Sequence, residues 1–460
     1  MAQAYEADGV TKRQHEQFGY AYDAAWNLSQ RTNNALIQSF GVNNLNELTN
    51  ATRSGTFTVA GTTTEPGGKV TSVTVSGTGL TSGNAAIYMD GMWARTNATL
   101  ANGANSYTAV ALDSSGRSDT ATVSVNLPAT STFTYDLNGN LLSDGTRFFI
   151  YDDANQLLSV TVSNSWQSQY VYDGLNRRRI AKDLSWNGSS FVETNEVRYV
   201  YDGNLVLQER DTNNLPLVSY TRGSDFSASF QDAGGIGGLL ARTDNRRLLT
   251  GDINASAYYQ SDDNGNVMAM FDLYGQLVAQ YAYDPYGNIL SMSGPMASAN
   301  KYRFSSKEWD ENAGIYYYGF RFYEPSLQRW PNRDPIEEKG GIHLYRFSSN
   351  NSINYVDKLG LYNPITGPNG PVSPGSGLPD PIIFFPPPPP PPQPPNFPLS
   401  FGPSSPSSCS NNPFSPITGN GFGWYVNGSA NVPGSFIGTN GLMYGNGKLG
   451  TSNLNYTPFQ

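Results

Sequence analysis

A short unit recurs along this chain and limits its architecture more than any single motif does. It reads aromatic, any residue, Tyr-Asp, two or three residues often ending in Gly-Asn or Asn, then Leu or a similar residue. Copies are "YAYDAAWNL" at Tyr20, "FTYDLNGNL" at Phe133, "FIYDDANQL" at Phe149, "YVYDGLNRR" at Tyr170, "YVYDGNLVL" at Tyr199 and "YAYDPYGNI" at Tyr281. A degenerate copy, "QSFGVNNLNEL", comes after the first. Tyr-x-Tyr places two aromatics on one face of a strand, because strand side chains alternate. Asp opens a turn through its side-chain acceptor, and Gly or Asn tolerates the positive φ such turns need. Each copy therefore predicts a strand, a turn and a strand. A lone hairpin is marginal in water, so the copies must join into an extended sheet.

The bulk numbers agree. Charged residues are 14% of 460, while the chain has 48 Gly and 29 Tyr, a mixture suited to short strands and many turns. The net charge of -9 with no basic block argues against nucleic acid as a partner. A single cysteine, Cys409, rules out an intrachain disulfide, and two histidines, His15 and His343, leave no multi-His metal site. No cofactor is expected. No apolar run reaches the roughly 20 residues that span a bilayer. The start, "MAQAYEADGVTKRQHEQ", lacks an apolar h-region and does not read as a signal peptide. Export would need another route or a start upstream.

Residues 56–128 break the rhythm. Ala121, Val123, Val125 and Leu127 alternate with polar residues, and several strands occur at short spacing, which predicts an Ig-like β-sandwich insert. From Tyr362 the chain changes character. Residues 362–460 carry two formal charges, Asp380 and Lys448, and seven consecutive prolines, Pro386 to Pro392. In polyproline II such a run extends about 22 Å. The predicted order is a Tyr-Asp segment at 1–55, the insert at 56–128, Tyr-Asp repeats at 131–233, a distinct block at 234–361, a Pro-rich linker at 362–412 and a Gly/Asn-rich segment at 413–460. The fold class is all-β: hairpins in an extended or spiralling sheet, a partial shell, with the insert and a disordered Pro/Gly-rich tail.

At the Tyr-Asp units the chain resembles the Rhs/YD-repeat family. From Gly234 to Leu361 the stretches "GGIGGLLART", "YRFSSKEWDENAGIYYYGFRFYEPSLQRWPNRDP" and "GGIHLYRFSSNNSINYVDKLGL" match the Rhs repeat-associated core domain in type, order and spacing. The resemblance implies a spiralling β-sheet shell enclosing a hollow, closed at one end by the core domain. It implies a variable C-terminal segment, often a toxin, behind that domain. In many members the core domain looks like an intramolecular aspartic protease that cuts after a terminal Asp-Pro-x-Gly-Leu. Carried over, the pair is Asp334 and Asp357, and the scissile bond is Leu361-Tyr362. Arg333 matches the family's arginine and would orient a carboxylate or polarise the carbonyl.

Two readings of the aspartates stand side by side. Carboxyls that share a proton split their pKa values, so one serves as base on water and the other as acid. Alternatively, each only caps a turn, as Asp before Pro or near Gly often does. Glu337 stands where relatives have glycine, so it puts a side chain where a tight turn favours none. Lys358 replaces a proline and sets a cation beside Asp357. His343 and His15 read as strand residues rather than bases. "SDDNGN" and "YDLNGN" echo a calcium loop but lack its Gly and Glu, and read as turns. "GNGKLG" at 445–450 has no flanking strand and helix for a phosphate cradle.

The tail 362–460 has no His, Glu or Arg, so conventional acid/base toxin chemistry lacks its reagents there. Three functions stand as expectations. The first is a secreted or cell-surface scaffold, bacterial by resemblance, that encapsulates or displays its C-terminal segment. The second is a self-processing aspartic-type autoprotease of a toxin-delivery system. The third is an adhesion protein binding a cell-surface or carbohydrate ligand. A secretion apparatus or an immunity protein would be further partners.

Overall fold

The computed structural model describes residues 2–63 and 69–361, with four further short strands at Ile365–Thr366, Trp424–Val426, Phe436–Ile437 and Met443–Tyr444. The Pro-rich linker, the tail's expected disorder and "GNGKLG" otherwise lie outside the described residues.

Strands dominate, and outside the insert most pair antiparallel with their neighbours in sequence. Fourteen of them, from Thr134–Tyr135 to Ile289–Ser293, form one sheet in strict chain order. A six-stranded sheet holds the first hairpins, Ala2–Tyr5 to Leu48–Gly55, and ends on Thr130–Thr132. That last strand pairs Thr130 with Thr52, so the chain leaves the sheet before the insert and returns to the same edge after it. Tyr22 and Tyr286 hydroxyls, 2.5 Å apart, bring the first Tyr-Asp hairpin against the last.

The Tyr-Asp turns share one geometry. At Asp152 the backbone N–H donates to the Gln156 carbonyl at 3.0 Å, and Asn155 donates back to the Asp152 carbonyl. Asp152 Oδ1 accepts from the N–H groups of Ala154 and Gln156 at 2.9 and 2.8 Å. Asn155 sits at φ +60°. This is a type I turn closed by a left-handed residue, the three-residue hairpin connection. It recurs at Asp23, Asn43, Asp136, Asp173 and Asp284, and the ladder slips by one residue at the preceding Tyr in most copies. The unit at Tyr199 departs from it. There Gly203, at φ +55°, comes directly after Asp202, and Asp202 pairs with Leu205 across a two-residue loop. Asp211, Asp262 and Asp272 make the same three-residue turn without a Tyr before them, which the Tyr-Asp pattern passes over.

Within Tyr-x-Tyr, the first aromatic is buried in most copies and the second half-buried. Tyr172, Tyr201 and Tyr283 send their hydroxyls to the carbonyls of Leu157, Arg178 and Val267 at 2.7–2.8 Å. These rings pack and anchor; they are not an open stacking platform.

Residues 57–127 form two facing sheets over one apolar core of Phe57, Val59, Val73, Trp93, Tyr107 and Val123. The four-stranded sheet runs Ser118–Leu127, Gly103–Asp113, Val70–Gly77, Leu80–Asn84. A short turn at Thr78-Gly79 pairs the last two, and the facing sheet holds Phe57–Thr63, Met92–Ala98 and Ala86–Ile87 in that order.

Candidate functional site

Residues 300–361 have little regular structure: a three-stranded sheet at Glu308–Tyr323, a two-residue strand at Tyr355–Val356 and single turns. Their rings fill the space beside the long sheet. Tyr316, Tyr318, Tyr323, Trp330 and Phe347 are buried together with strand residues Tyr199, Tyr281 and Ile289. Hairpins alternate ends in a meander, so the Tyr-Asp turns all lie at one end. Residues 325–353 run across that end. Tyr345 donates to the Gly139 carbonyl at 2.9 Å, Asn332 to Asn155 at 3.2 Å and Asn350 to Trp26 at 2.8 Å.

Asp334 and Asp357 are 3% and 1% exposed. Each uses one oxygen to cap a turn. Asp334 Oδ1 accepts from Ile336 N–H at 3.0 Å, and Asp357 Oδ1 from the N–H groups of Leu359 and Gly360 at 3.2 and 2.8 Å. The other oxygens differ. Asp334 Oδ2 takes a charged hydrogen bond from Arg321 Nη2 at 2.6 Å. Asp357 Oδ2 is buried with no hydrogen-bond partner. Burial pushes Asp357 up to about 6; Arg321 opposes that rise and the nearby Asp334 adds to it. The two carboxyls therefore feel each other through one guanidinium.

Arg321 is fully buried and joins the parts. Besides Asp334, it donates to the Leu344 carbonyl at 3.1 Å and, through Nε, to the Gly360 carbonyl. Burial lowers its pKa, while Asp334 and Asp357 hold its charge. Lys307 Nζ donates to the carbonyls of Gly234 and Lys358 at 2.9 and 2.6 Å. Burial presses Lys307 down to about 7, with Asp357 pulling the other way. Phe320 N–H donates to the Leu359 carbonyl at 3.0 Å. Three successive carbonyls before the border, those of Lys358, Leu359 and Gly360, are thus gripped from Lys307, Phe320 and Arg321.

Arg333 is not in this constellation. It reaches Tyr345 Oη at 3.3 Å and Glu47 at 3.4 Å, with its side chain 34% exposed. The cation on Asp334 is Arg321, thirteen residues upstream, where no spacing in the sequence pointed. The signal that existed was chemical: an arginine in an aromatic run, "YYYGFRFY", which stacks over Trp330 at 4.2 Å. Glu337 sits at φ +55°, the left-handed conformation that suits the glycine of relatives. The Lys358 side chain is half-exposed, and the cations that interact with Asp357 from the core are Arg321 and Lys307. Leu361 is buried, and Tyr362 lies outside the described residues.

His343 Nε2 lies 2.8 Å from Asn27 Oδ1; burial lowers its pKa to about 4, with Arg329 and Arg346 adding to the shift. His15 is buried against Tyr88, with ring centroids 5.2 Å apart. The calcium-like loops spend their acceptors internally: Asp262 and Asp136 each accept from the backbone and side-chain amide of the Asn four residues on. Among the described residues no helix is long and apolar enough to cross a membrane, which says nothing of a β-barrel.

Comparisons with known proteins found similar chains and a matching family model. The chain is 30% identical over 235 residues to the tRNA3(Ser)-specific nuclease WapA of Bacillus spizizenii, covering 49% of this chain and 9% of that protein. It is 42% identical over 90 residues to the toxin subunit YenC1 of Yersinia entomophaga, covering 19% and 9%. The chain thus spans about a tenth of the length of these relatives. The solved Photorhabdus luminescens Tc holotoxin pore aligns with a TM-score of 0.41 and 18% identity, over 79% of this chain and 17% of that one. The model of the Teneurin YD-shell family matches residues 105–353, more than half of the chain. This chain belongs to the Teneurin YD-shell family.

Proposed function

We propose that this chain is a β-shell scaffold, exported or surface-associated, that holds the segment beyond Leu361 at the end of its own core. The observation that carries this reading is the grip on the carbonyls of Lys358, Leu359 and Gly360 by buried donors. A chain fixed at this point would start the segment beyond it from a set place. The names of the relatives, a nuclease and a toxin subunit, fit a scaffold in a toxin-delivery system. Limited proteolysis tests it. Residues 362–460 should resist a broad protease in the full chain and be digested readily as a separate polypeptide. Equal digestion in both settings overturns the reading.

A second reading, self-cleavage at Leu361-Tyr362, is favoured by the unequal carboxyls. Asp357, pushed up to about 6 with a free buried oxygen, suits the proton-bearing role; Asp334, paired with Arg321, suits the ionised one. One carboxylate would take a proton from water as its oxygen adds to the Leu361 carbonyl carbon. The other would give its proton, and the Tyr362 amine would leave with one. Intact mass after incubation near pH 6 should show a fragment ending at Leu361, absent in Asp334→Asn. A chain that stays whole refutes self-cleavage and leaves the scaffold reading in place.

A further inference from the structure

The β-sandwich carries a cleft that none of the roles above uses. It has a volume of about 500 Å³ and is lined by Gly77, Gly79, Leu80, Thr81, Arg95, Thr96 and Asn97. It lies where the turn at Thr78-Gly79 in one sheet crosses the end of strand Met92–Ala98 in the other, with Thr99 N–H donating to the Gly79 carbonyl at 3.1 Å. A volume of this order holds one or two sugar rings.

Arg95 is the charged group in that lining. Among the described residues it makes no ion pair, and its buried Nε has no hydrogen-bond partner. Most of the fully buried arginines here are committed, among them Arg321 to Asp334, Arg178 to Glu308, and Arg147 to Asp144 and Glu324. The backbone around Arg95 is shaped to present it. The ladder of its strand slips between Arg95 and Ala98, and Asn97 takes φ +70°. Such bulges re-aim side chains. The guanidinium lies against Gly83 of the edge strand, where an added Cβ would stand 2.6 Å from Nη2. A glycine there leaves the guanidinium its seat. Gly79, too, has no room for a side chain, since a Cβ would meet the Thr99 carbonyl at 2.0 Å.

We propose that this cleft binds an acidic saccharide, with the Arg95 guanidinium taking the sugar carboxylate as a two-pronged pair. A planar fork matches a carboxylate better than a point charge does. Thr81, Thr96 and Asn97 offer hydroxyl and amide partners for sugar hydroxyls, and Leu80 offers one apolar face. A nucleic acid or anionic membrane is disfavoured, because the chain carries a net charge of -9 and Arg95 is the one charged residue in the cleft lining.

The test titrates the full chain with glucuronate, its uncharged methyl ester and inorganic phosphate, by calorimetry and ligand-detected NMR. Glucuronate should bind at least about tenfold more tightly than the ester, as loss of a charge-assisted pair implies. Arg95→Gln should abolish binding, and Arg95→Lys, which keeps charge without the fork, should retain a fraction. Thr81→Val, at an exposed position on the edge strand, should weaken binding several-fold; it serves as the check if Arg95→Gln fails to fold. Phosphate binding as tightly as glucuronate would mark a plain anion site and overturn the saccharide. So would equal binding of the ester, unchanged affinity in both Arg95→Gln and Thr81→Val, or no binding at all.

Discussion

The Tyr-Asp hairpins and the block from Lys301 to Leu361 satisfy their backbones in opposite ways. In the hairpins, ladders pair the main chain, and a turn Asp such as Asp152 bonds to its own loop. In the block, few residues are laddered, and buried cations supply the missing donors. Arg31 donates to the Ser326 carbonyl at 2.6 Å, Arg147 to Ala313 at 2.7 Å, and Arg321 and Lys307 to the carbonyls at the border. A buried carbonyl must be bonded in either case. The lesson is one of consequences: a hairpin turn is a local device, while an arginine in the block ties three distant segments at once.

That contrast can be broken first at Arg321. Arg321→Met strands the buried Asp334 charge and frees two carbonyls, and should cost about 3–5 kcal/mol in chemical denaturation. Adding Asp334→Asn should recover part of it. A loss below about 1 kcal/mol would mean the block is not held by its cations.

A smaller effect separates the two classes of aspartate by pH. Asp357 is raised to about 6 in the folded chain, above an unfolded value of about 3.9. Its contribution is therefore full below about pH 4 and lost as pH rises through 6. Asp357→Asn removes the penalty, so the variant should gain about 2–3 kcal/mol over the wild type between pH 4 and 7 in paired melts. A difference that is flat across that window contradicts the burial argument.

The smallest effects are in turns. Asp152→Ala loses two hydrogen bonds within one loop and should cost about 1 kcal/mol. Glu337→Gly should gain roughly 0.5 kcal/mol, because relief of the left-handed strain slightly outweighs glycine's extra chain entropy. Urea titration reads both. A cost at Asp152 matching that at Arg321 would erase the distinction between local and tying residues.

Much of this was legible in the residues. Tyr-x-Tyr-Asp predicted hairpins, and Asn155 and Gly139 lie at positive φ as that turn chemistry requires. Arg321 was not legible, nor were the contacts of Arg333 with Tyr345 and Glu47. Hairpin geometry is set by contacts within about ten residues, so a local pattern carries it. Which cation faces Asp334 depends on how an irregular segment packs beneath a sheet, and residues 13 and 23 positions apart meet there only by burial. The sequence by itself determined the strands, the turns and the all-β class, because short-range sterics and alternation decide them. Only the tertiary structure decided which cations the two aspartates meet, because that depends on which buried donors are left to satisfy the unladdered backbone.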